Sequence, residues 1–490
     1  MEALYLGPIY NELIMENITR RPELLLGNFR VKMLTAAIPL LVFSYSYFSA
    51  SLAHPAEFKV EKLKTISNGV IELGIDLQRG GSITYLSEYN KNLSVINIHD
   101  MGREVQLSFY SGPDDYEPFP GSQACNTSWR RGLWPWNPIG AGDVTGNTGQ
   151  VLDVQVNDNG TSMYVKSKPL QWACKNVSCE CFFEKWITLD GPTACVKASL
   201  TNFRSDKTAY NGHGQELPAV YTTGYLHRLF TYSGAEPFSN APPKELPAGP
   251  HSPNAFLATE HWAAMLDADE WGLGVYQPEA TLMLGRFVGD PGTGGPTDDA
   301  TGYIAPINEE ILDWNIVYNF TFYLILGELE TIRSTAYQLS KNLTTCLSSD
   351  FISTREHFIL ANAADTGVPN QFWQIIMEKN DPQVIGPVCV WKASNFQTLY
   401  INASYSLSGQ VTNSTSKGQV FWAKNGPNTY DEENSVSFDI KADGMWHVYE
   451  INLSQIPAYA GVMYGLRFDP IPAGTQGSYV KLAFIHEHIH

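Results

Sequence analysis

Short strand patterns at regular intervals are the feature that most restricts how this chain can fold. From about Phe58, apolar and polar residues alternate in short stretches that are separated by glycine, proline and aspartate. The first two stretches, residues 70–77 and 82–86, are joined by an Arg79-Gly80-Gly81 turn. Further strands are predicted at residues 163–167, 182–189, 196–202, 219–223, 262–266, 273–276 and 314–326. Many short alternating strands with turn residues between them predict an all-β sandwich.

One segment departs from this pattern. Leu329, Ile332, Ala336 and Leu339 recur with a period of about 3.6 residues, which predicts a helix over residues 327–347. Two stretches rich in proline and glycine, residues 237–253 and 290–301, are predicted to be long loops. Such loops often form the rim of a binding cleft in a sandwich.

Composition and charge restrict the partners of the protein. The 490 residues are enough for two or three domains, and only 17% of them are charged. The net charge of −18 argues against nucleic acid and an anionic membrane surface as partners, because each requires a basic face. Strongly acidic polysaccharides are disfavoured for the same reason, unless the protein has a local basic cleft.

The N-terminal region predicts export. An apolar run at residues 33–48 follows Arg30 and Lys32, and a small-residue cleavage pattern follows at residues 51–53. The run is short for a membrane span, which needs roughly 20 apolar residues. We therefore expect a signal peptide within residues 1–53 and a secreted protein. The alternative is a type II signal anchor at the cell surface, with membrane contact only if the segment stays uncleaved. Residues 1–32 lack periodicity and are interpreted as a mispredicted start.

Glycosylation sequons agree with export. Nine N-x-S/T sequons follow the apolar run, and several lie in predicted turns, where a glycan would stay solvated. Their asparagines are Asn92, Asn126, Asn159, Asn176, Asn319, Asn342, Asn402, Asn413 and Asn452.

The cysteines also indicate export to an oxidising compartment. Cys174, Cys179, Cys181 and Cys195 form a cluster in the sequence. In an oxidising compartment such a cluster predicts two local disulfides. A zinc site is disfavoured, because the spacing is not one that zinc sites use and no histidine lies inside the cluster.

The last hundred or so residues have a pattern of their own. Residues 436–440 and 446–453 alternate on both sides of an Asp443-Gly444 dipeptide, which predicts a hairpin. A Leu-Arg-Phe-Asp-Pro stretch at residues 466–470 and a closing strand around residues 480–484 follow. This pattern resembles the jelly-roll carbohydrate-binding modules at the ends of extracellular carbohydrate-active proteins. The resemblance implies a glycan as the ligand.

Particular residues of this module are candidates for binding. Trp391 and Trp422 are the candidate sugar-stacking residues, whereas Trp446 is expected in the core. Modules similar to it often hold a structural calcium ion, and no other cofactor is predicted. The oxygens for such an ion would come from Glu432, Asp439 or Asp469.

The opening strands resemble a second family. The order of strand, Arg-Gly-Gly turn, strand and a later Gly102-Arg103 step is similar to the first hairpins of the galactose-mutarotase-like supersandwich. The resemblance covers residues 58–330 and implies a β-supersandwich, a scaffold that carries aldose epimerases, lyase domains and some glycoside hydrolases. We therefore expect a supersandwich at residues 54–362, a linker at residues 362–370, and a smaller β-sandwich or jelly roll at residues 371–490.

Glu216 is the candidate base for sugar chemistry. It lies in a polar stretch before a predicted strand that carries Tyr221. Proton transfer at a sugar carbon needs one group that removes a proton and another that returns it. Epimerases of the resembled fold pair a glutamate base with a histidine acid, and its lyases use histidine, tyrosine or arginine. The remaining candidates are His213, His227 and His261 as acids, and Arg103 and Arg228 as groups that polarise a carboxylate or ring oxygen.

These polar residues also have a structural interpretation. The stretch around Glu216 could be a turn with internal hydrogen bonds, and the one around Arg228 an interstrand polar patch. Geometry decides between the two interpretations.

A tryptophan-rich loop is the candidate sugar-binding surface. Trp129, Trp134 and Trp136 lie in a segment rich in proline and glycine, next to Asn137. Exposed indoles offer flat apolar faces for sugar rings, and an amide binds hydroxyl groups. The alternative is that the tryptophans pack the loop onto the sandwich as a small core of its own.

Together these features predict a secreted glycoprotein that binds carbohydrate and modifies it by epimerase- or lyase-type proton abstraction. The alternative is a non-catalytic glycan-binding protein of the cell surface or the extracellular matrix. A glycoside hydrolase is a second alternative, although the sequence offers no two carboxylates that can be paired for hydrolysis.

Overall fold

The structure is a computed structural model that describes residues 62–113, 116–118, 125, 135–249, 254–342, 347–408 and 416–489. These residues form two β-sandwiches, one after the other, and a single α-helix. The prediction of an all-β fold is therefore confirmed. The predicted signal peptide lies outside the described residues, as do Asn126, Trp129, Trp134 and Asn413.

The first sandwich is built from strands β1 to β19. In chain order they are β1 Leu63–Ser67, β2 Ile71–Asp76, β3 Ser82–Glu88, β4 Val105–Ser108, β5 Pro138–Ile139, β6 Gln150–Val156, β7 Ser162–Lys168, β8 Leu170–Gln171, β9 Cys181–Asp190, β10 Thr193–Asn202, β11 His213–Thr223, β12 Arg228–Thr231, β13 Lys244–Leu246, β14 Asn254–Leu257, β15 Trp262–Leu266, β16 Trp271–Tyr276, β17 Leu282–Val288, β18 Thr301–Glu310 and β19 Val317–Glu328.

Two large sheets enclose the main core. One is eight-stranded, in the order β1-β2-β3-β4-β11-β18-β17-β14, and the other is nine-stranded, in the order β13-β12-β15-β16-β19-β10-β9-β7-β6. Leu73 and Ile304 of the first sheet meet Phe183 and Leu324 of the second in this core. Strand β9 alternates between buried and more exposed residues, as expected of a strand with one face on a core. Strand β18 is buried at nearly every position, so both faces of the eight-stranded sheet are covered at its centre.

The predicted Arg79-Gly80-Gly81 turn joins β2 to β3. Gly80 has a φ of +56°, and a Cβ atom there would lie 1.9 Å from the carbonyl oxygen of Gly140. Only glycine meets both conditions, because it tolerates this backbone region and brings no side chain. The turn is thereby fixed against the segment that precedes β6.

The single described helix, α1, spans Leu329–Leu339, and a 3₁₀ turn, Ser340–Asn342, follows it. It is shorter than the predicted helix over residues 327–347, because Gly327 and Glu328 still pair with β16. Ile332 and Ala336 pack on the face of the nine-stranded sheet that points away from the main core. The helix thus closes that face.

The second sandwich is built from strands β20 to β32. They are β20 Ser349–Asp350, β21 Ile359–Ala361, β22 Ala364–Asp365, β23 Trp373–Ile376, β24 Gln383–Ile385, β25 Trp391–Lys392, β26 Thr398–Ser406, β27 Lys417–Trp422, β28 Ser435–Asp439, β29 Trp446–Asn452, β30 Val462–Met463, β31 Leu466–Asp469 and β32 Tyr479–His486, with 3₁₀ turns at Glu432–Asn434 and Leu453–Gln455.

The boundary between the sandwiches lies earlier than predicted. A six-stranded sheet contains β20, β22, β23, β32, β26 and β29, and a five-stranded sheet has the order β21-β24-β31-β27-β28. Strands β20, β21 and β22 pair with β32, β24 and β23, so their backbone groups belong to the second sandwich. This corrects the predicted linker at residues 362–370, since the second sandwich already includes Ser349.

The predicted hairpin at Asp443-Gly444 is wrong. Strand β28 pairs with β27, whereas β29 pairs with β26 in the other sheet. The segment between them crosses from one sheet of the sandwich to the other. An alternating pattern on both sides of a turn is the same for adjacent strands and for strands in facing sheets, and the six residues between β28 and β29 exceed a two-residue hairpin loop.

The disulfides differ from the predicted set. Bonds join Cys125 to Cys174 and Cys179 to Cys181, and Cys389 is also disulfide-bonded. Among the described cysteines, Cys195 carries no disulfide, which corrects its assignment to the cluster. Its position on β10, opposite Tyr323 of β19, holds it in the nine-stranded sheet.

The predicted glycosylation sites are mostly on the surface. The asparagine side chains are exposed at Asn92, Asn159, Asn176, Asn319 and Asn452. Asn402, inside β26, is half-buried and therefore less accessible than these five asparagines. Asn342 is the last residue of a described segment. Their modification stays a prediction. In the part of the chain that the structure describes, no helix has the length and apolarity of a membrane span.

The second sandwich packs against the eight-stranded sheet. Val388 contacts the apolar patch that contains Leu284 and Ala305, on the face that points away from the main core. Arg355 ties the two parts together through Asp313 at 2.8 Å and Asp365 at 2.6 Å. The two sandwiches therefore share a buried, charged junction.

His357 adds a titratable group to this junction. Its Nδ1 atom hydrogen-bonds Glu310, and its Nε2 atom lies 3.5 Å from Glu279. Glu310 also accepts a hydrogen bond of 2.9 Å from the hydroxyl of Tyr318. Burial lowers the pKa of His357, but the two carboxylates outweigh burial and raise it well above its usual value of 6.5. The charged imidazolium is thus the form that the folded protein holds.

Replacing His357 by glutamine is expected to destabilise the protein more at mildly acidic than at alkaline pH. Because the folded state holds the proton more tightly than the unfolded chain, the stabilisation is complete below the unfolded pKa of about 6.5. It declines as the pH rises toward the folded-state pKa. Thermal melting of both proteins at about pH 6 and about pH 9 measures this difference. An equal loss of melting temperature at both values would show that the imidazolium contributes nothing.

Candidate active site

A row of polar side chains crosses the eight-stranded sheet on the face that points away from the main core. Tyr221 of β11 pairs with Tyr303 of β18, which in turn pairs with Arg286 of β17. The two phenol ring centroids are 5.0 Å apart, and the guanidinium carbon of Arg286 lies 6.0 Å from the centroid of Tyr303. Paired residues of neighbouring strands point to the same face, so we call these three residues the polar row.

Glu216 lies beside the polar row because β11 contains a bulge. The register of β11 against β18 shifts between Glu216 and Val220. A bulge of this kind redirects side chains, and such bulges are frequent next to active sites. The hydroxyl of Tyr110 lies 3.4 Å from Oε2 of Glu216, and the phenol of Tyr303 donates a hydrogen bond to the same carboxylate.

The surroundings of Glu216 set its protonation. Burial raises the pKa of Glu216 to about 7, although the hydrogen bonds from Tyr303 and Tyr110 and the charge of Arg286 act in the opposite direction. Desolvation disfavours the charged form of a carboxylic acid. Glu216 is therefore close to half-ionised at neutral pH, as a general base needs.

The neighbouring phenols stay neutral. Burial, the charge of Glu216 and the proximity of Tyr221 raise the pKa of Tyr303 well above its usual value. Burial and Glu216 likewise raise the pKa of Tyr221. Both hydroxyl groups remain protonated at neutral pH, so they can donate hydrogen bonds or a proton.

Arg103 borders the polar row. Its guanidinium is buried and bonds Asp299 at 2.8 Å and Asp100 at 3.2 Å. Its charge acts on both Tyr221 and Arg286, so it lies close to the row. Through Asp299 it fixes the predicted loop over residues 290–301 beside the site.

The structure brings together three of the predicted catalytic residues: Glu216, Tyr221 and Arg103. It does not bring the histidines to them. His213 lies three residues before Glu216 on β11, where the alternation of a strand places it on the opposite face. The phenols of Tyr110 and Tyr303, and no histidine of the three predicted, donate to Glu216.

The other predicted residues have separate partners. His227 Nδ1 lies 3.0 Å from the carbonyl oxygen of Tyr225. His261 Nδ1 lies 3.2 Å from the carbonyl oxygen of Ala280, and burial lowers the pKa of its ring. Arg228 forms ion pairs with Glu245 and Glu270 on the nine-stranded sheet. The described contacts join none of these three residues to Glu216, and their catalytic roles stay predictions.

Sequence reasoning missed Tyr110, Tyr303 and Arg286. A signal existed for Arg286, which is the one charged residue in the apolar stretch that forms β17. A charged residue in a strand that is otherwise buried is rare unless it is paired or functional. Tyr110 and Tyr303 gave no comparable signal, because tyrosine is common in strands.

The predicted sugar-stacking residues that the structure describes are core residues. Trp136 is 1% exposed and belongs to the main core, and Asn137 donates a buried hydrogen bond of 2.7 Å to the carbonyl of Phe109. This corrects their assignment to a sugar-binding surface and agrees with the alternative that the loop packs onto the sandwich.

The tryptophans of the second sandwich also lie in environments that differ from the predicted ones. Trp422 is fully buried, and Trp391 is buried with its Nε1 atom donating to the hydroxyl of Tyr459 at 2.9 Å. Both were predicted to stack on sugar, and neither offers an exposed ring. Trp446, which was expected in the core, is 45% exposed and contacts Phe372 edge-on at 5.8 Å.

The oxygens predicted for calcium are engaged elsewhere. Asp469 binds Arg467 through both carboxylate oxygens, Asp439 pairs with Lys417 at 2.9 Å, and Glu432 accepts from Gln419 at 2.9 Å. Within the described residues no group of three or more histidine, cysteine, aspartate or glutamate side chains is arranged to hold a metal ion.

Comparisons with known proteins identify similar folds only. The Slr1438 protein from Synechocystis sp. PCC 6803 is 9% identical, with 54% of this chain and 96% of that chain covered and a TM-score of 0.33. A galactose mutarotase-like protein from Lactobacillus casei ATCC 334 is 12% identical, with coverages of 54% and 99% and a TM-score of 0.31. A low-affinity xylan-binding module, CBM86, from Roseburia intestinalis is 12% identical, with coverages of 28% and 90% and a TM-score of 0.20.

Two of these neighbours are of kinds that the sequence resembles, a galactose mutarotase-like protein and a carbohydrate-binding module. No family model and no curated protein matches the chain. At such low identity and TM-scores the likeness assigns neither an activity nor a ligand. Function therefore has to be argued from the site.

Proposed function

We propose that this chain is a carbohydrate-active protein in which Glu216 removes a proton from a sugar carbon. The observation that carries the proposal is a buried carboxylate with a pKa raised to about 7, next to the phenols of Tyr303 and Tyr110. Strongly shifted pKa values that arise from burial and specific neighbours are concentrated at functional sites.

The geometry suits proton transfer at carbon. In the ionised form Glu216 takes the proton, and the C–H electron pair stays on the sugar as a carbanion-like or enolate-like centre. In an epimerase, a phenol of Tyr110 or Tyr303 then donates a proton to the same carbon. In a lyase, the electron pair forms a carbon–carbon double bond while the neighbouring C–O bond breaks, and the phenol protonates the leaving oxygen. The positive charges of Arg103 and Arg286 beside the row stabilise the negative charge that develops.

Paired-carboxylate hydrolysis fits the site less well. That chemistry needs two carboxyl groups that flank one glycosidic bond, one as an acid and the other as a nucleophile or base. The carboxylates of Asp100 and Asp299 beside the row already neutralise Arg103. We therefore propose epimerase or lyase chemistry and not glycoside hydrolysis.

A second function, glycan binding without chemistry, is favoured by one surface of the second sandwich. Trp446 and Phe372 lie together on it, and the Lys481 Nζ atom lies 4.9 Å from the ring centroid of Phe372 and 5.7 Å from that of Tyr479. An exposed indole such as that of Trp446, with half-buried rings and a cation beside it, is suited to stack on a sugar ring and to bind its hydroxyl groups. This surface would hold the protein on a glycan.

We also propose that the protein is secreted and glycosylated. The two disulfides of the first sandwich favour an oxidising compartment. Exposed asparagines at five of the predicted sequons are accessible to the glycosylation machinery. Release of glycans by an N-glycosidase, followed by the mobility of the purified protein, tests this part.

A substrate screen tests the proposed activity. The full chain, expressed through a eukaryotic secretory pathway, is incubated with a panel of poly- and oligosaccharides in D₂O. Deuterium uptake at sugar carbons, unsaturated products and new reducing ends are followed in parallel. Proton abstraction predicts deuterium uptake or unsaturated products. Binding in a glycan array without either product would refute the catalytic proposal and leave the glycan-binding function.

A further inference from the structure

A cavity of about 220 Å³ lies at one end of the first sandwich, apart from the polar row, none of whose residues lines it. The loops after β3 and β11 and the loop between β17 and β18 meet there. Val95 and Leu226, two buried residues of the main core, line the cavity together with the more exposed Leu93, Tyr225 and Trp271. Exposed apolar side chains of soluble proteins are usually scattered, so their convergence on one concave space indicates a binding site.

The loop over residues 290–301 forms one wall of the cavity, and hydrogen bonds hold this wall in place. The fully buried side chain of Asn97 donates from its Nδ2 atom to the carbonyl oxygen of Asp298 at 2.9 Å. The backbone amide of Ile98 donates to the carbonyl oxygen of Pro296 at 2.6 Å. The wall is therefore formed before any ligand binds, as is usual for small-molecule sites.

The charge of the cavity disfavours anions. Asp298 is an exposed residue of the cavity wall, and its Oδ2 atom accepts a hydrogen bond of 2.6 Å from the backbone amide of Gly295. Among the described residues that line the cavity there is no lysine, arginine or histidine. The net charge of −18 adds a field that attracts cations. An anionic ligand would be repelled here, whereas a cationic ligand finds a counter-charge.

We propose that this cavity binds the alkylammonium group of a small organic cation. Such a cation is attracted to the faces of tryptophan and tyrosine rings within about 6 Å, and Trp271 and Tyr225 line the same space. The methyl groups of a quaternary ammonium pack on apolar side chains such as Leu93 and Val95, while Asp298 supplies the counter-charge.

A neutral sugar fits this cavity less well than an alkylammonium group does. Hydroxyl groups surround a sugar ring, and those that face Val95 and Leu226 would lose water without gaining a hydrogen-bond partner. The hydroxyl oxygen of Ser94 already accepts from the backbone amides of Leu86 and Ile96, at 3.4 and 3.2 Å. The site and the ligand thus both differ from those of the proposed function, which can fail without affecting this one.

Calorimetric titration of the full chain with two molecules of the same shape tests the cation site. One is choline, and the other is its uncharged carbon analogue, in which a tert-butyl group replaces the trimethylammonium group. We expect choline to bind about 10-fold or more tightly than the analogue.

Glycerophosphocholine distinguishes two sources of the cation, and either result supports the cation site. It should bind at least as tightly as choline if the ligand is a lipid headgroup. It should bind more weakly if the ligand is a free amine, because Asp298 repels the phosphate.

Two substitutions in the lining should each weaken choline binding about 3-fold or more. Tyr225→Leu removes an aromatic face, and Tyr225→Phe is its matched control because it keeps the ring. Asp298→Asn removes the counter-charge but keeps an oxygen for the amide of Gly295. Asp290→Asn is the matched control for charge, since Asp290 is an exposed residue of the same loop that does not line the cavity. Both controls should bind choline as the wild type does.

Filling the cavity tests its location. Gly295 has room for a side chain, because a Cβ atom there would have only the carboxylate of Asp298 near it, at 3.8 Å. Gly295→Leu should therefore abolish choline binding while the protein stays folded. Gly249→Leu is the matched control, since Gly249 is exposed, lies outside the cavity and has no atom within 4 Å of such a Cβ.

Three kinds of result would overturn the cation site. Equal affinity for choline and its uncharged analogue would show an apolar cavity without preference for a cation. Tighter binding of glucose or galactose than of choline, lost in Gly295→Leu, would assign the cavity to a sugar. No binding of choline at about 10 mM, or binding that Gly295→Leu leaves unchanged, would show that the cavity is not a site for this cation.

Discussion

Replacing Glu216 by glutamine is expected to lower kcat by about 100- to 10,000-fold, the range for the loss of a general base. Glutamine keeps the shape of the side chain and can still accept from Tyr110, but it cannot take a proton. Sugar binding should persist, because the polar row and Arg103 are unchanged. The measurement is the rate of deuterium exchange or product formation on the substrate found by the screen, together with the affinity for it.

The pH dependence of kcat/KM for the wild-type protein should reflect the pKa of Glu216. A base is active when it is deprotonated, so kcat/KM should fall as the pH decreases below about 7 and level off above it. Glu216→Gln should lose this inflection together with the rate.

Glu184→Gln is the matched control for Glu216→Gln. Glu184 also accepts a hydrogen bond from a phenol, that of Tyr164 at 2.5 Å, but it lies on the nine-stranded sheet, outside the polar row. Its replacement should leave kcat unchanged. If Glu216→Gln retained the wild-type rate, another group would have to be the base.

Replacing Glu260 by glutamine is expected to lower the free energy of unfolding of the first sandwich by about 3–5 kcal/mol. Its carboxylate is fully buried and accepts two hydrogen bonds from Arg333 of α1, at 2.9 and 3.1 Å. It also accepts from the hydroxyl of Tyr337, the indole of Trp262 and the backbone amide of Phe238. The glutamine leaves the arginine charge buried without a counter-ion and puts a donor where an acceptor is needed.

Thermal melting and hydrogen exchange of helix α1 measure this effect, because the helix depends on Arg333 for its contact with the sheet. Glu245→Gln is the matched control. Glu245 also binds an arginine through both oxygens, at 2.8 and 3.2 Å to Arg228, but that pair is partly exposed. Its loss should cost less than about 1 kcal/mol. Equal effects of the two substitutions would show that burial does not determine the strength of the Glu260–Arg333 pair.

Several features of the protein could be predicted from local patterns. Alternation with period two in strands such as β9 marks one buried face, and this pattern gave the all-β class. The Arg79-Gly80-Gly81 turn could be predicted from the sequence, because glycine is needed where two backbone segments approach closely. Glu216, Tyr221 and Arg103 were predicted as candidate site residues, and the structure places them near one another.

Other features depend on which strands become neighbours, and the local alternation of apolar and polar residues does not specify this. The alternation around Asp443-Gly444 is the same whether the flanking strands share a sheet or lie in facing sheets, so the predicted hairpin was wrong. Trp446 and Trp422 are alike in the sequence, but the sheet turns the first outward and the second into the core.

The sequence by itself determined that the chain forms sandwiches of short strands, because the period of its apolar residues is a local property. The tertiary structure alone decided the composition of the site. Tyr221, Tyr303 and Arg286 come from three strands that are distant in the chain and adjacent in the sheet. Glu216 joins them through a bulge in β11, and burial then raises its pKa. The sequence specifies which side chains are present. Their proximity to one another and their desolvation arise only when the strands pair and pack.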